Sequence, residues 1–61
     1  MKRHEFVKHL TNNGCRLLRE GANHSIYINP INSKQSTVGR DQELSNLFCK
    51  KICKQLDIPL I

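Results

Sequence analysis

The chain has 61 residues, 38% of them hydrophobic, and sets 10 lysines and arginines against 5 acids for a formal charge of +5 with histidine neutral. A chain this short buries only about 60% of the surface its unfolded form exposes. That excludes a deep internal substrate cavity and a two-domain enzyme closing over its substrate, while the hydrophobic share is too high for a disordered basic tail. The charge favours a polyanion or an acidic protein as partner, and its excess is +3 over residues 1–20, +2 over 21–40 and zero over 41–61.

Residues 2–13 predict an amphipathic helix, with Phe6, Val7 and Leu10 on one stripe. Asn12, Asn13 and Gly14 end it, Gly14 being the natural left-handed residue after a helix. Residues 15–20 read as a strand, and Gly21, Ala22 and Asn23 as a tight connection. Residues 24–29 are the clearest strand, β-branched and aromatic in the middle. Pro30 stops it, Asn32, Ser33 and Lys34 turn the chain, and 35–38 form a short third strand broken by Gly39. Ser45 or Asn46 caps a last helix, in which Leu47, Phe48, Ile52 and Leu56 follow helical spacing and Cys49 and Cys53 widen the stripe. Lys50, Lys51 and Lys54 line the opposite face, and Pro59 ends the helix. Short strands joined by tight turns pair antiparallel, and two helices with one apolar face each pack on one side of the sheet. The expected fold class is therefore α+β, an α-β-β-β-α order with a three-stranded antiparallel sheet, in one domain over 1–61.

Three cysteines argue against a secreted disulfide framework. Cys49 and Cys53 lack two further ligands at sensible spacing, so the expectation is buried free thiols and no metal. The start Met-Lys-Arg-His-Glu has no apolar run behind it, and no stretch approaches the ~18 apolar residues of a membrane helix. The reading is a cytoplasmic protein without membrane contact. His24 shares a strand face with Ile26 and Ile28. Those isoleucines are expected on the core side beneath the helices, and His24, the first residue of the strand, at the rim of that layer, reachable from solvent but backed by apolar atoms. Such a place suits an imidazole that exchanges protons near neutral pH. The plainer alternative is a histidine that merely ends a strand. Tyr27 then falls on the outer sheet surface, and His4 and His9 on the surface of the first helix.

RNA cleavage is a reaction this sparse equipment supports. RNA supplies its own nucleophile, the 2′-hydroxyl, and needs a base and cations for the phosphate. Arg3, Arg19, Lys34 and Arg40 are the candidate phosphate contacts, with Asn23 and Ser25 to position the substrate. No P-loop or dinucleotide fingerprint occurs, and neither a protease constellation nor a carboxylate pair in a cleft is evident.

The helix, three strands, helix order is that of double-stranded-RNA-binding domains. Met1 to Leu10 through Asn13-Gly14-Cys15, the hairpin Leu17 to Tyr27 with Gly21-Ala22-Asn23-His24, Ser36-Thr37-Val38 followed by Arg40 and Glu43-Leu44, and Lys51 to Leu56 with Ile58-Pro59 together resemble HicA-type mRNA interferase toxins over almost the whole chain. The resemblance implies a double-stranded-RNA-binding-like fold and a ribonuclease that degrades mRNA and halts growth. It implies that His24 is the catalytic residue, and that a HicB-type antitoxin binds the toxin and covers it. Many members read Pro-Arg-His where this chain has Gly39-Arg40-Asp41. Asp41 either orients His24 or bonds locally in the loop. A non-catalytic RNA-binding module remains the alternative.

Overall fold

The computed structural model describes residues 1–60; Ile61, the last residue of the expected domain, lies outside the described residues. Phe6 and Leu10, one helical turn apart, are the buried positions of α1 (Arg3–Asn12). No side chain caps its start. Instead the Arg3 amide donates to the Gln42 carbonyl at 2.8 Å and the Leu44 amide to the Met1 carbonyl at 2.8 Å, so the segment before α1 bridges to the loop after the last strand. Gly14, at φ 85°, turns the chain out of the helix, and Cys15 is buried immediately after it.

Three strands follow: β1 (Arg16–Glu20), β2 (His24–Asn29) and β3 (Lys34–Gly39). They form an antiparallel sheet in the order β1-β2-β3. The final helix, α2 (Asn46–Leu56), is capped by Ser45, whose hydroxyl accepts from the Phe48 amide at 3.1 Å. It ends at Leu56, ahead of Pro59. Asp57 takes the left-handed conformation and the Ile58 amide donates back to the Cys53 carbonyl at 3.0 Å. The helix, three antiparallel strands, helix order is the one expected. Phe6 and Leu10 of α1, Cys49, Ile52, Cys53 and Leu56 of α2, and Tyr27 and Val38 of the sheet share one core, so both helices cover the same face. Burial pushes the Cys15, Cys49 and Cys53 thiols up from their ordinary pKa, which leaves them protonated at neutral pH. Among the described residues no helix is long and apolar enough to cross a membrane.

The sheet is the other way up from the hydropathy reading. Ser25, Tyr27 and Asn29 are the buried side chains of β2, with Tyr27 8% exposed, whereas Ile26 and Ile28 are half-buried and His24 is exposed. The polar members of the inner face are each satisfied by a specific bond. The Asn29 amide donates to the Leu56 carbonyl at 2.8 Å, fastening the end of α2, and Asn29 Oδ1 accepts from the Ile31 amide. Ser25 joins a network described below. Tyr27 thus fills the core beneath the helices, and the outer-surface expectation for it fails. A second correction concerns α2. Its buried stripe is Cys49, Ile52, Cys53 and Leu56, while Leu47 and Phe48 are 63% and 61% exposed. The cysteines are the centre of the stripe, not its margin. His9 is half-buried rather than on the surface. Its Nε2 lies 2.8 Å from the Pro59 carbonyl oxygen and its ring stacks on Phe6, docking the C-terminal segment onto α1. His4 is exposed.

Candidate active site

Cross-strand partners share a face, so the register defines the open side of the sheet. His24 stands opposite Gly39; Ile26 stands between Arg19 and Thr37; Ile28 stands between Arg16 and Gln35. Arg16 and Arg19 are three apart, and plain alternation would send them to opposite faces. A bulge between Leu17 and Arg19 takes up the extra residue. It brings both guanidinium groups to the His24 side, and both residues are exposed. Strand geometry puts the Arg19 and His24 backbones roughly 8 Å apart.

His24 is the first residue of β2, and its imidazole bonds to no described residue. Its cross-strand neighbour has no side chain, and a Cβ on Gly39 would meet only Leu44 Cδ2, at 4.0 Å. The space left open there is part of a groove of about 460 Å³ between β3, the loop after it and the start of α2. His24, Thr37, Asp41, Ser45 and Phe48 stand around it, with Leu44 and Ile52 among its apolar lining. The apolar side chains that share this groove with His24 come from α2 and its approach.

The backbone carrying His24 is fastened from below. Arg40 Nη2 donates to Glu20 Oε1 at 2.8 Å and to the carbonyls of Gly21 and His24, and Nη1 donates to the Ala22 carbonyl at 3.1 Å. One guanidinium thus grips three carbonyls of the hairpin turn. Glu20 Oε1 also accepts from the Ser25 hydroxyl at 2.7 Å, and Ser25 Oγ accepts from Arg3 Nη2 at 3.1 Å. Arg3 Nε closes the circuit on the Gly39 carbonyl at 2.8 Å. Arg3, Glu20, Ser25 and Arg40 therefore tie α1 and all three strands together at the His24 end of the sheet.

This network holds the Glu20 carboxyl below its ordinary pKa, first through the Arg40 hydrogen bond and then through the Ser25 hydroxyl. A depressed pKa contributes stability that is complete above the unfolded glutamate value of about 4.3 and is lost as pH falls through the folded value. The hairpin amides of residues 21–24 should therefore exchange faster with solvent deuterium in acid, below about pH 4. Glu20→Gln should flatten that dependence, read by amide exchange across the acid range. An unchanged acid profile in Glu20→Gln would assign the dependence to another carboxylate.

The sequence-derived contact residues separate into groups. Arg19 is on the His24 face, and its guanidinium bonds to no described residue. Asn23 is exposed in the turn beside His24. Arg3 and Arg40 come together, and with Lys2, His4 and Gln42 they line a shallow basic hollow of about 510 Å³. Ser25 is 1% exposed with its hydroxyl engaged, so it cannot touch a substrate and instead braces the hairpin, a correction to its expected role. Lys34 begins β3 opposite Asn29, five residues from the Gly39 end and so roughly 16 Å away. The structure does not bring it to His24.

With this geometry in hand, comparison with protein families matches residues 3–58 to the model described as HicA toxin of bacterial toxin-antitoxin. The chain belongs to the HicA toxin family. Comparison with curated proteins and with solved structures gives no match. As a HicA toxin it is one component of a toxin–antitoxin system, and an antitoxin is its implied partner. Asp41 of this HicA toxin bonds neither to His24 nor to its own loop; its carboxylate stands free at the groove among the described residues. Glu43, also at the groove, is bonded to the Met1 amino group at 2.6 Å. Sequence reasoning missed Arg16, whose place on the His24 face depends on the bulge, and Phe48, which helical spacing had assigned to the core. It also missed Glu20, whose partner Arg40 is twenty residues away.

Proposed function

We propose that this HicA toxin is a metal-independent endoribonuclease that cuts mRNA and arrests growth, with His24 as its single proton-transfer residue. The observation that carries the reading is an exposed imidazole, unpartnered among the described residues, on a backbone clamped at three carbonyls, with the Arg19 guanidinium, likewise unpartnered among them, on the same face. His24 takes the proton of a 2′-hydroxyl, the 2′-oxygen attacks the adjacent phosphorus, and the 5′-oxygen leaves. The imidazolium so formed can return that proton to the leaving oxygen, so one histidine serves both transfers. Arg19 meets the phosphate, where charge grows as phosphorus becomes five-coordinate. Asn23 in the turn, with Arg3 at the basic hollow, would hold flanking nucleotides, while Arg40 fixes the turn that carries His24. A HicB-type antitoxin would silence the enzyme in the cytoplasm by covering His24, and the chain's +5 charge suits an acidic partner.

The test is cleavage of single-stranded RNA by the purified chain in EDTA. The wild type should cut, and His24→Ala should be slower by about 10²–10⁴-fold with an unchanged circular dichroism spectrum, because the side chain bonds to no described residue. RNA retained on the variant in a filter-binding assay would separate lost chemistry from lost binding. Cleavage by His24→Ala at the wild-type rate would refute the reading.

A further inference from the structure

The groove beside His24 has a chemistry unlike the rest of this basic protein. Among the described residues its ionised side chains are the carboxylates of Asp41 and Glu43, with no lysine or arginine in the lining. The Met1 amino group offsets Glu43, so Asp41 is the carboxylate left to disfavour a phosphate there. An aromatic ring stands at the same groove: Phe48 is 61% exposed in the first turn of α2, with its ring accessible for stacking. Thr37 and Ser45 add hydroxyls, and the bond Ser45 accepts from the Phe48 amide uses its oxygen and not its proton. The volume of about 460 Å³ falls within the range of small-ligand sites, roughly 300–1,000 Å³.

We infer that this groove is a nucleobase site, in which an unstacked base of the RNA lies on Phe48 and offers its amino edge to Asp41. The inference rests on the nuclease reading for its place beside the scissile bond, and it adds which bases are taken. Aromatic stacking accepts any base, since every base has a π-face. Selection comes from the carboxylate. It is acceptor-only when ionised, so it pairs with the exocyclic amino groups of cytosine, adenine and guanine and is repelled by uracil's carbonyl oxygens. Guanine fits best, because its ring N–H and its amino group present two parallel donors to one carboxylate. The charges divide the nucleotide accordingly. Arg19 and Arg16 lie on the open face for phosphates, and the acidic groove lies across His24 from β1 for the base.

The chain contains no tryptophan, so Phe48→Trp introduces a single indole at the stacking position, excited selectively over Tyr27. Because the site is exposed, the exchange should not disturb folding. The protein is titrated with uncleavable 2′-deoxy pentamers that carry one guanine, adenine, cytosine or uracil among abasic positions. The expected result is quenching by the amino-bearing bases, strongest for guanine, at concentrations about ten-fold below those needed for uracil. Adding Asp41→Asn, which supplies a donor as well as an acceptor, should abolish that preference. In cleavage assays Phe48→Ala should raise KM about ten-fold, with rescue by Phe48→Trp. Equal quenching by all four pentamers, or none, overturns the inference. So does a base preference that survives Asp41→Asn. These binding results do not depend on catalysis. A wild type that does not cut RNA would refute the nuclease reading alone, whereas a cutting wild type, an inert His24→Ala variant and an indifferent groove would together refute the base site alone.

Discussion

Tyr27→Ser should leave the protein largely unfolded, whereas Ile26→Ser, one residue earlier in the same strand, should leave it folded. Tyr27 packs in the core with Phe6, Val38 and Leu56, and truncating a buried aromatic costs about 3–5 kcal/mol. A domain of this size rarely has more than about 3–5 kcal/mol in total, so the loss is comparable with the whole margin. Ile26 lies half-buried on the open face between Arg19 and Thr37, and its replacement should cost about 1 kcal/mol. Thermal unfolding followed by circular dichroism checks both. Equal losses at the two positions, or a greater loss at Ile26, would mean that the sheet presents its other face to the helices.

The same pair shows where sequence reasoning reached and where it stopped. Turn chemistry placed the elements: Gly14, the Gly21-Ala22-Asn23 connection, Pro30 and Ser45 punctuate the chain close to the observed ends of α1, β1, β2 and α2. Strand orientation failed because the test applied was hydropathy. The β2 face carrying Ile26 and Ile28 looks like core, but the face carrying Ser25, Tyr27 and Asn29 is core, since Asn29 bonds to the end of α2 and Ser25 to Glu20 and Arg3. A buried polar group costs little once its bonds are made, and such bonds join residues far apart in sequence. The bulge in β1 was invisible for a related reason: only pairing with Ile26 and Ile28 shows that Arg16 and Arg19 share a face. His24 was singled out by its place at a strand start and by family resemblance. What stands beside it, the groove with Asp41 and Phe48, depends on how the segment 40–45 packs against α1, which no local pattern reports.

Arg40→Ala should reduce RNA cleavage by on the order of 10²-fold while changing thermal stability little. The two effects part company because of what Arg40 holds. Its ion pair with Glu20 is partly exposed, with side-chain accessibilities of 41% and 56%, so water screens it and its loss is tolerated. Yet the guanidinium grips the carbonyls of Gly21, Ala22 and His24, the turn that sets where the imidazole sits. A displacement of about 1 Å in a catalytic group is enough for a loss of that size. Arg40→Lys should rescue only in part, because an ammonium cannot span three carbonyls and a carboxylate as a planar fork does. The competing role, direct phosphate contact at the basic hollow, leaves a different signature. It would raise KM and lower the dependence of affinity on salt by about one phosphate's worth. A positioning role lowers kcat and leaves the salt slope unchanged. Measuring kcat and KM at several salt concentrations for wild type, Arg40→Ala and Arg19→Ala separates the two, since Arg19, with no bond to a described residue, should show the phosphate signature and Arg40 should not.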